Sequence, residues 1–228
     1  VSIDVVDVSG HSRPVPLARE ETALVVVDVQ RDFCDPEHLP WLDEEARSRV
    51  WDAVTRISWL VERARAADVR VVWVRLEQDP DSPWWSSLWL RGLLDVSTAT
   101  RLPLEPCLTG TPGADWFRVF PADGEDVVVK RRYSAFHGTD LDVLLRSRGI
   151  TWLAVCGMTT DCCVDATVRD AFQSGYRTFL ITDATTSYLR KSQEHAFSVL
   201  ANHSASVVTA DAMARVWERT RLSDGGTG

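Results

Sequence analysis

The stretch AVCGMTTDCCVDATVRDAF (Ala154–Phe172) decides how this chain is read. It continues an apolar run from Trp152 and Leu153 that ends at Gly157. A short turn follows, and a helix opens with Cys162 and Cys163 in its first turn. Val164, Val168, Ala171 and Phe172 recur at helical spacing, which gives that helix a face to lay on a sheet. A strand, a tight turn and a helix N-terminus make a place for chemistry, because free backbone N–H groups point outward and the helix dipole favours negative charge. A cysteine there is expected to ionise more readily toward the nucleophilic thiolate. A buried cysteine pair without chemistry fits the same residues, so the rest of the chain has to arbitrate.

Outward from this unit, apolar runs alternate with helical patterns. Ala23–Val29 (ALVVVDV) reads as a buried parallel strand broken by Asp28 near its carboxyl end. Residues 31–42 read as a loop, and Asp43–Ala67 as a helix with Val50, Val54, Ile57, Val61 and Ala64 on one face. Strands are expected at Arg70–Leu76, Val127–Lys130, Thr151–Cys156, Arg177–Thr182 and Ser206–Thr209. Further helices are expected at Thr139–Arg148, with a Thr139/Asp142 capping box and a Gly149 stop, at Lys191–Asn202 and at Ala212–Arg221. The cysteine helix should end near Gly175. This alternation predicts an α/β fold, a parallel sheet with helices on both faces, forming a single domain over 21–222. Such sheets carry their sites beyond the carboxyl ends of the strands, where Asp28, Lys130 and Cys163 lie. Residues 1–20 read as an extended N-terminal arm, 77–125 as a long proline-rich loop or lid, and 223–228 as a disordered tail.

A net charge of −8 and a pI of about 5.1 argue against a nucleic-acid or anionic-membrane partner. With 228 residues, 45% of them hydrophobic, the chain is long enough for one sizeable core. No apolar run reaches the length of a membrane span, and VSIDVVDVSG lacks the layout of a signal peptide. The odd set Cys34, Cys107, Cys156, Cys162 and Cys163 shows no disulfide-framework spacing. A reducing, cytoplasmic setting is therefore expected. The histidines are scattered and there is no CxxC pair, so no zinc pattern emerges.

Three motifs stand at strand ends: DVQRDF (Asp28–Phe33), KRRYSAF (Lys130–Phe136) and GMTTDCCV (Gly157–Val164). Together and in this order they resemble the isochorismatase-like cysteine hydrolases, over about Ala23 to Asp183. KRRYSAFHGTDLDVLLRSRGI and GMTTDCCVDATVRDAFQSGY are most similar to the carbamoyl- and ureido-cleaving members, such as biuret and triuret hydrolases, N-carbamoylsarcosine amidase and ureidoacrylate hydrolase. The resemblance implies a six-stranded Rossmann-like sheet in the order 3-2-1-4-5-6 and an Asp–Lys–Cys triad. Cys163, directly before Val164, matches the nucleophile, Asp28 the general base and Lys130 the bridging cation. It also implies a cis peptide at Met158–Thr159, aiming the Thr159 and Cys163 N–H groups into one oxyanion hole. In such a site a thiolate attacks a poorly electrophilic carbonyl while N–H donors hold the oxyanion. The carboxylate moves the proton, and the cation favours the ionised forms beside it.

Gln30, Phe33, Tyr133, Phe136 and Thr160 flank the triad and are the substrate-binding candidates. Trp84, Trp85 and Trp89 in the long loop would wall the pocket, although core or interface packing uses the same residue type. Metal-binding nicotinamidases carry an Asp-x-His motif and a further His after the second strand. The corresponding stretch here, RLEQDPDSPWW, has Asp79 and Asp81 but no His, so neither a metal nor another cofactor is expected. The expected activity is cleavage of a C–N bond in a small amide, carbamoyl or ureido compound, through a thioester acyl-enzyme with release of ammonia or an amine. The expected assembly is a homo-oligomer, dimer or tetramer. Two other readings stay open at this point. One is vinyl-ether hydrolysis by Asp28 without a covalent intermediate. The other is a redox or interaction module using Cys162 and Cys163, although a vicinal pair on a helix is poorly placed for a disulfide.

Overall fold

The structure, a computed structural model, describes residues 2–6, 12–79 and 105–224. An N-terminal antiparallel hairpin, β1 (Ser2–Val6) and β2 (Ser12–Pro16), precedes the main sheet. That sheet comprises β3 (Thr22–Val27), β4 (Arg70–Leu76), β5 (Asp126–Lys130), β6 (Trp152–Met158), β7 (Arg177–Thr186) and β8 (Ser206–Val208). All its pairings are parallel and its order is β5-β4-β3-β6-β7-β8, which is 3-2-1-4-5-6 when the six strands are counted by sequence.

Every residue of β3 is buried, because helices cover both faces. Strand alternation sends Leu24 and Val26 into one cluster with α2 (Glu44–Ala66) and α6 (Ala210–Asp224). Ala23, Val25 and Val27 go into the other, with α3 (Leu141–Ser147), α4 (Asp165–Gln173) and α5 (Arg190–His203). This two-sided burial is why the strand reads as a continuous apolar run. The helix α2 begins where expected: Asp43 accepts the Ala46 N–H at 2.7 Å as its N-cap. Val50, Val54, Ile57, Val61 and Ala64 are its buried face.

The structure departs from the expected elements at several places. Residues 31–42 include one helical turn, α1 (Arg31–Cys34). The capping box does not form, since α3 starts one residue late with Asp140 at its N-cap. Asp142 instead accepts from Tyr176 Oη at 2.9 Å and from Arg146 Nε at 3.0 Å. β7 runs on to Thr186 rather than stopping at Thr182; after a register shift, Thr185 and Thr186 pair with Gly157 and Met158. The arm is a hairpin that packs on β8 and α6 and sends Ile3 into the core. Of the tail, Ser223 and Asp224 belong to α6 and the last residues lie outside the described ones. The described part of the long loop, 105–125, folds back on the sheet through a short 3₁₀ turn, Pro112–Ala114, and a bridge between Gln30 and Trp116. No helix among the described residues is long and apolar enough to cross a membrane.

Candidate active site

β3 and β6 lie side by side, and the chain leaves them toward opposite edges of the sheet. A crevice opens outside their carboxyl ends at such a switch point. Asp28 is the first residue beyond β3, held in a left-handed conformation (φ 52°) with its N–H donated to Val74 O at 2.8 Å. Lys130 ends β5, two strands away. Its long side chain reaches back so that Nζ lies 2.8 Å from Asp28 Oδ2 and 3.4 Å from Cys163 Sγ. Nζ also donates to Arg132 O at 2.9 Å. Asp28 and Lys130 are fully buried and Cys163 nearly so.

The attraction between the ammonium and Oδ2 is chiefly Coulombic. Neither Asp28 oxygen has a well-aligned donor among the described residues. Burial pushes the Asp28 carboxyl above the ordinary aspartate range, with Lys130 opposing the push. Burial would lower Lys130, but the charges of Asp28 and Cys163 outweigh it and hold the ammonium above the usual lysine range. The hydrogen bond with Cys162, then burial, then the Asp28 charge hold the Cys163 thiol well above its ordinary range, against the pull of Lys130. The same hydrogen bond lowers half-buried Cys162. Asp28 and Cys163 share Lys130 Nζ as a neighbour.

The turn between β6 and α4 is built from backbone constraints. Gly157 has φ +121°, and a Cβ there would lie 2.0 Å from Val27 O on β3. Only glycine permits that approach. The peptide Met158–Thr159 is cis. Thr160–Val164 then form one wide π-helical turn rather than the start of an ordinary α-helix. Thr159 O accepts N–H groups from Cys162 and Val164, both at 3.1 Å, and these two bonds bracket the Cys163 N–H.

The other site candidates separate in space. Gln30 is fully buried and its amide is spent on backbone: Nε2 donates to Leu76 O (2.9 Å) and Ala114 O (2.8 Å), and Oε1 accepts Leu76 N–H (2.8 Å). It ties the end of β4 to the loop at Ala114. Phe136 likewise packs inward, 5.7 Å from Tyr176. Thr160 is buried and bonded to Thr185. Phe33 packs against Leu76, Cys107 and Ala114, and its carbonyl accepts from Tyr188 Oη at 3.0 Å. Tyr133 is exposed. Trp84, Trp85 and Trp89 lie outside the described residues. The reading by motifs missed Asp32, which accepts Cys107 N–H at 2.6 Å, stands 2.6 Å from His38 Nδ1 and has its carboxylate 2.0 Å from where a Cβ at Gly113 would stand. It also missed Thr185, Ser187 and Tyr188; the run of hydroxyls in ATTSY after an apolar strand was the available signal. Among the described residues no group of His, Cys, Asp and Glu is arranged to hold a metal ion.

Comparison with known proteins matches residues 22–212 to the Isochorismatase domain family. The ureidoacrylate amidohydrolase of Azorhizobium caulinodans is 37% identical over 188 residues, covering 76% of this chain and 81% of its own. A cysteine hydrolase from Pseudomonas syringae pv. phaseolicola superposes with a TM-score of 0.77 at 26% identity, over 90% of this chain and 96% of that one. The N-carbamoylsarcosine amidase from Thermoplasma acidophilum superposes with a TM-score of 0.65 at 26% identity, over 84% and 97%.

Proposed function

Because the chain belongs to the isochorismatase family, we propose that it is a cysteine-dependent amidohydrolase of small ureido or carbamoyl compounds. The observation that carries this reading is the convergence of Asp28, Lys130 and Cys163 in one buried contact set at the switch point of the sheet. The ureido substrate class is drawn from the relatives named ureidoacrylate amidohydrolase.

Asp28, whose oxygens lack aligned donors among the described residues, takes the Cys163 proton as Sγ bonds to the substrate carbonyl carbon. The oxyanion settles on the N–H groups of Thr159 and Cys163. Asp28 returns the proton to the leaving nitrogen, the C–N bond breaks, and ammonia or an amine departs from a thioester. Asp28 then deprotonates a water; the new C–O bond forms, the C–S bond breaks, and the proton returns to the thiol. Lys130 stays charged throughout and stabilises whichever of Asp28 and Cys163 carries the negative charge.

The test is an ammonia-release screen across ureas, N-carbamoyl amino acids, ureidoacrylate and primary amides, with the acyl adduct trapped by acid quench and mapped by mass spectrometry. The expected adduct sits on Cys163, and Cys163→Ala is expected to lose at least about 10³-fold in kcat. A Cys163→Ala enzyme that still turns over would overturn the reading.

A further inference from the structure

β8 pairs only with Phe179–Ile181, while β7 continues to Thr186 alongside the end of β6. On this extension and just after it Thr185, Thr186 and Ser187 are all buried. A buried hydroxyl needs a partner. Two of the three find one in the turn that carries the nucleophile. Thr185 Oγ1 lies 2.9 Å from the hydroxyl of Thr160, itself fully buried. Ser187 Oγ accepts the Asp161 N–H at 3.2 Å. Thr186 instead donates to Gln193 Oε1 at 3.1 Å, and Gln193 Nε2 reaches the Thr185 carbonyl at 3.4 Å, so α5 braces the extension.

This arrangement explains an omission at the head of the turn. Thr159 occupies the N-cap position but makes no side-chain cap bond. An N-cap side chain folds over the first N–H groups and fills the space in front of them. Here the Asp161 N–H is satisfied by Ser187, just beyond the end of β7, which leaves the front of the turn to a ligand. We propose that Thr185 and Ser187 are positioning residues, a hydroxyl rail that grips the first two residues of the π-helical turn and so sets Cys163 against Lys130 and Asp28. The proposal rests on the amidohydrolase reading for the reaction it serves, but the geometry it explains can be tested without a substrate.

The full chain carrying Cys162→Ala serves as background, so that Cys163 is the thiol of the turn. Thr185→Val, Thr185→Ser, Ser187→Ala and Thr160→Val with Thr185→Val are compared with it. The readouts are the pH profile of Cys163 alkylation by iodoacetamide, mapped by peptide mass, and kcat and KM on the substrate found by the screen. Thr185→Val and Ser187→Ala are each expected to move the alkylation midpoint upward by about half a pH unit or more, as Cys163 loses its hold on Lys130. Both should lower kcat about ten- to hundred-fold with KM within about twofold. Thr185→Ser should restore both readouts, and adding Thr160→Val to Thr185→Val should lower kcat no further. A lowered Tm with the background alkylation profile and kcat would show a purely structural role and overturn the proposal. If Thr185→Val does not fold, Ser187→Ala decides by the same criteria. If no substrate is turned over, the amidohydrolase reading fails while the alkylation profile still decides the rail.

Discussion

Asp28 and Lys130 are two opposite charges at zero exposure, 2.8 Å apart. Taking both out of water is unfavourable, and their attraction offsets that only while both are present. Their position at strand ends invites the expectation that single replacements fold normally; full burial argues otherwise. Asp28→Asn strands an ammonium and Lys130→Met strands a carboxylate, so each should lower stability by about 3–5 kcal/mol. The double variant should recover most of that loss while remaining inactive. Denaturant unfolding of the three proteins checks this, and a double variant no more stable than the singles would count against it. That Asp28, Lys130 and Cys163 would meet was legible because their three motifs stand at strand ends in the order of the family they resemble. The role of Gln30 was not, because its amide partners lie 46 and 84 residues away in sequence.

The helix α2 and the loop before β5 are joined through Glu125. Its carboxylate takes Arg65 in a fork, with Nε and Nη2 both at 2.9 Å, the Trp73 indole N–H at 2.6 Å and the Ala122 N–H at 2.8 Å. Burial pushes the Glu125 carboxyl up, but Arg65 and the two N–H donors outweigh it and hold it below the ordinary glutamate range. Such a group contributes stability that is fully present above its unfolded value, about 4.3, and is lost as pH falls through the lower folded value. Tm should therefore fall on acidification below about pH 4.3 with a slope that Glu125→Gln reduces. The substitution itself should cost about 1–3 kcal/mol at neutral pH. Equal slopes in the two proteins would refute the assignment. At this scale periodicity located the helices and strands, because each buries a face. It did not locate the π-helical turn, which depends on the bonds from Val164 N–H to Thr159 O and from Asp165 N–H to Thr160 O, nor the end of β7, where polar residues continue a strand to meet other buried hydroxyls.

The whole sheet divides at the line between β3 and β6. One half, β3-β4-β5, carries Asp28 and Lys130; the other, β6-β7-β8, leads into the turn that carries Cys163. The sequence order of strands and motifs made these two groupings legible, but not how closely they meet. At the catalytic end they meet at Val27 and Gly157, paired residues with bare backbone against backbone. That seam acts as a gauge. No side chain fills it, so no side-chain substitution elsewhere can narrow it, and the smallest addition at Gly157 can only widen it. Gly157→Ala should wedge the halves apart at the end where Asp28 and Cys163 face each other, lowering kcat more steeply than stability; a variant that loses stability but keeps its kcat would argue against this. The clearance between Asp28 and Cys163 is thus written into a single missing methyl group, which leaves the walls around it free to vary while the spacing stays fixed.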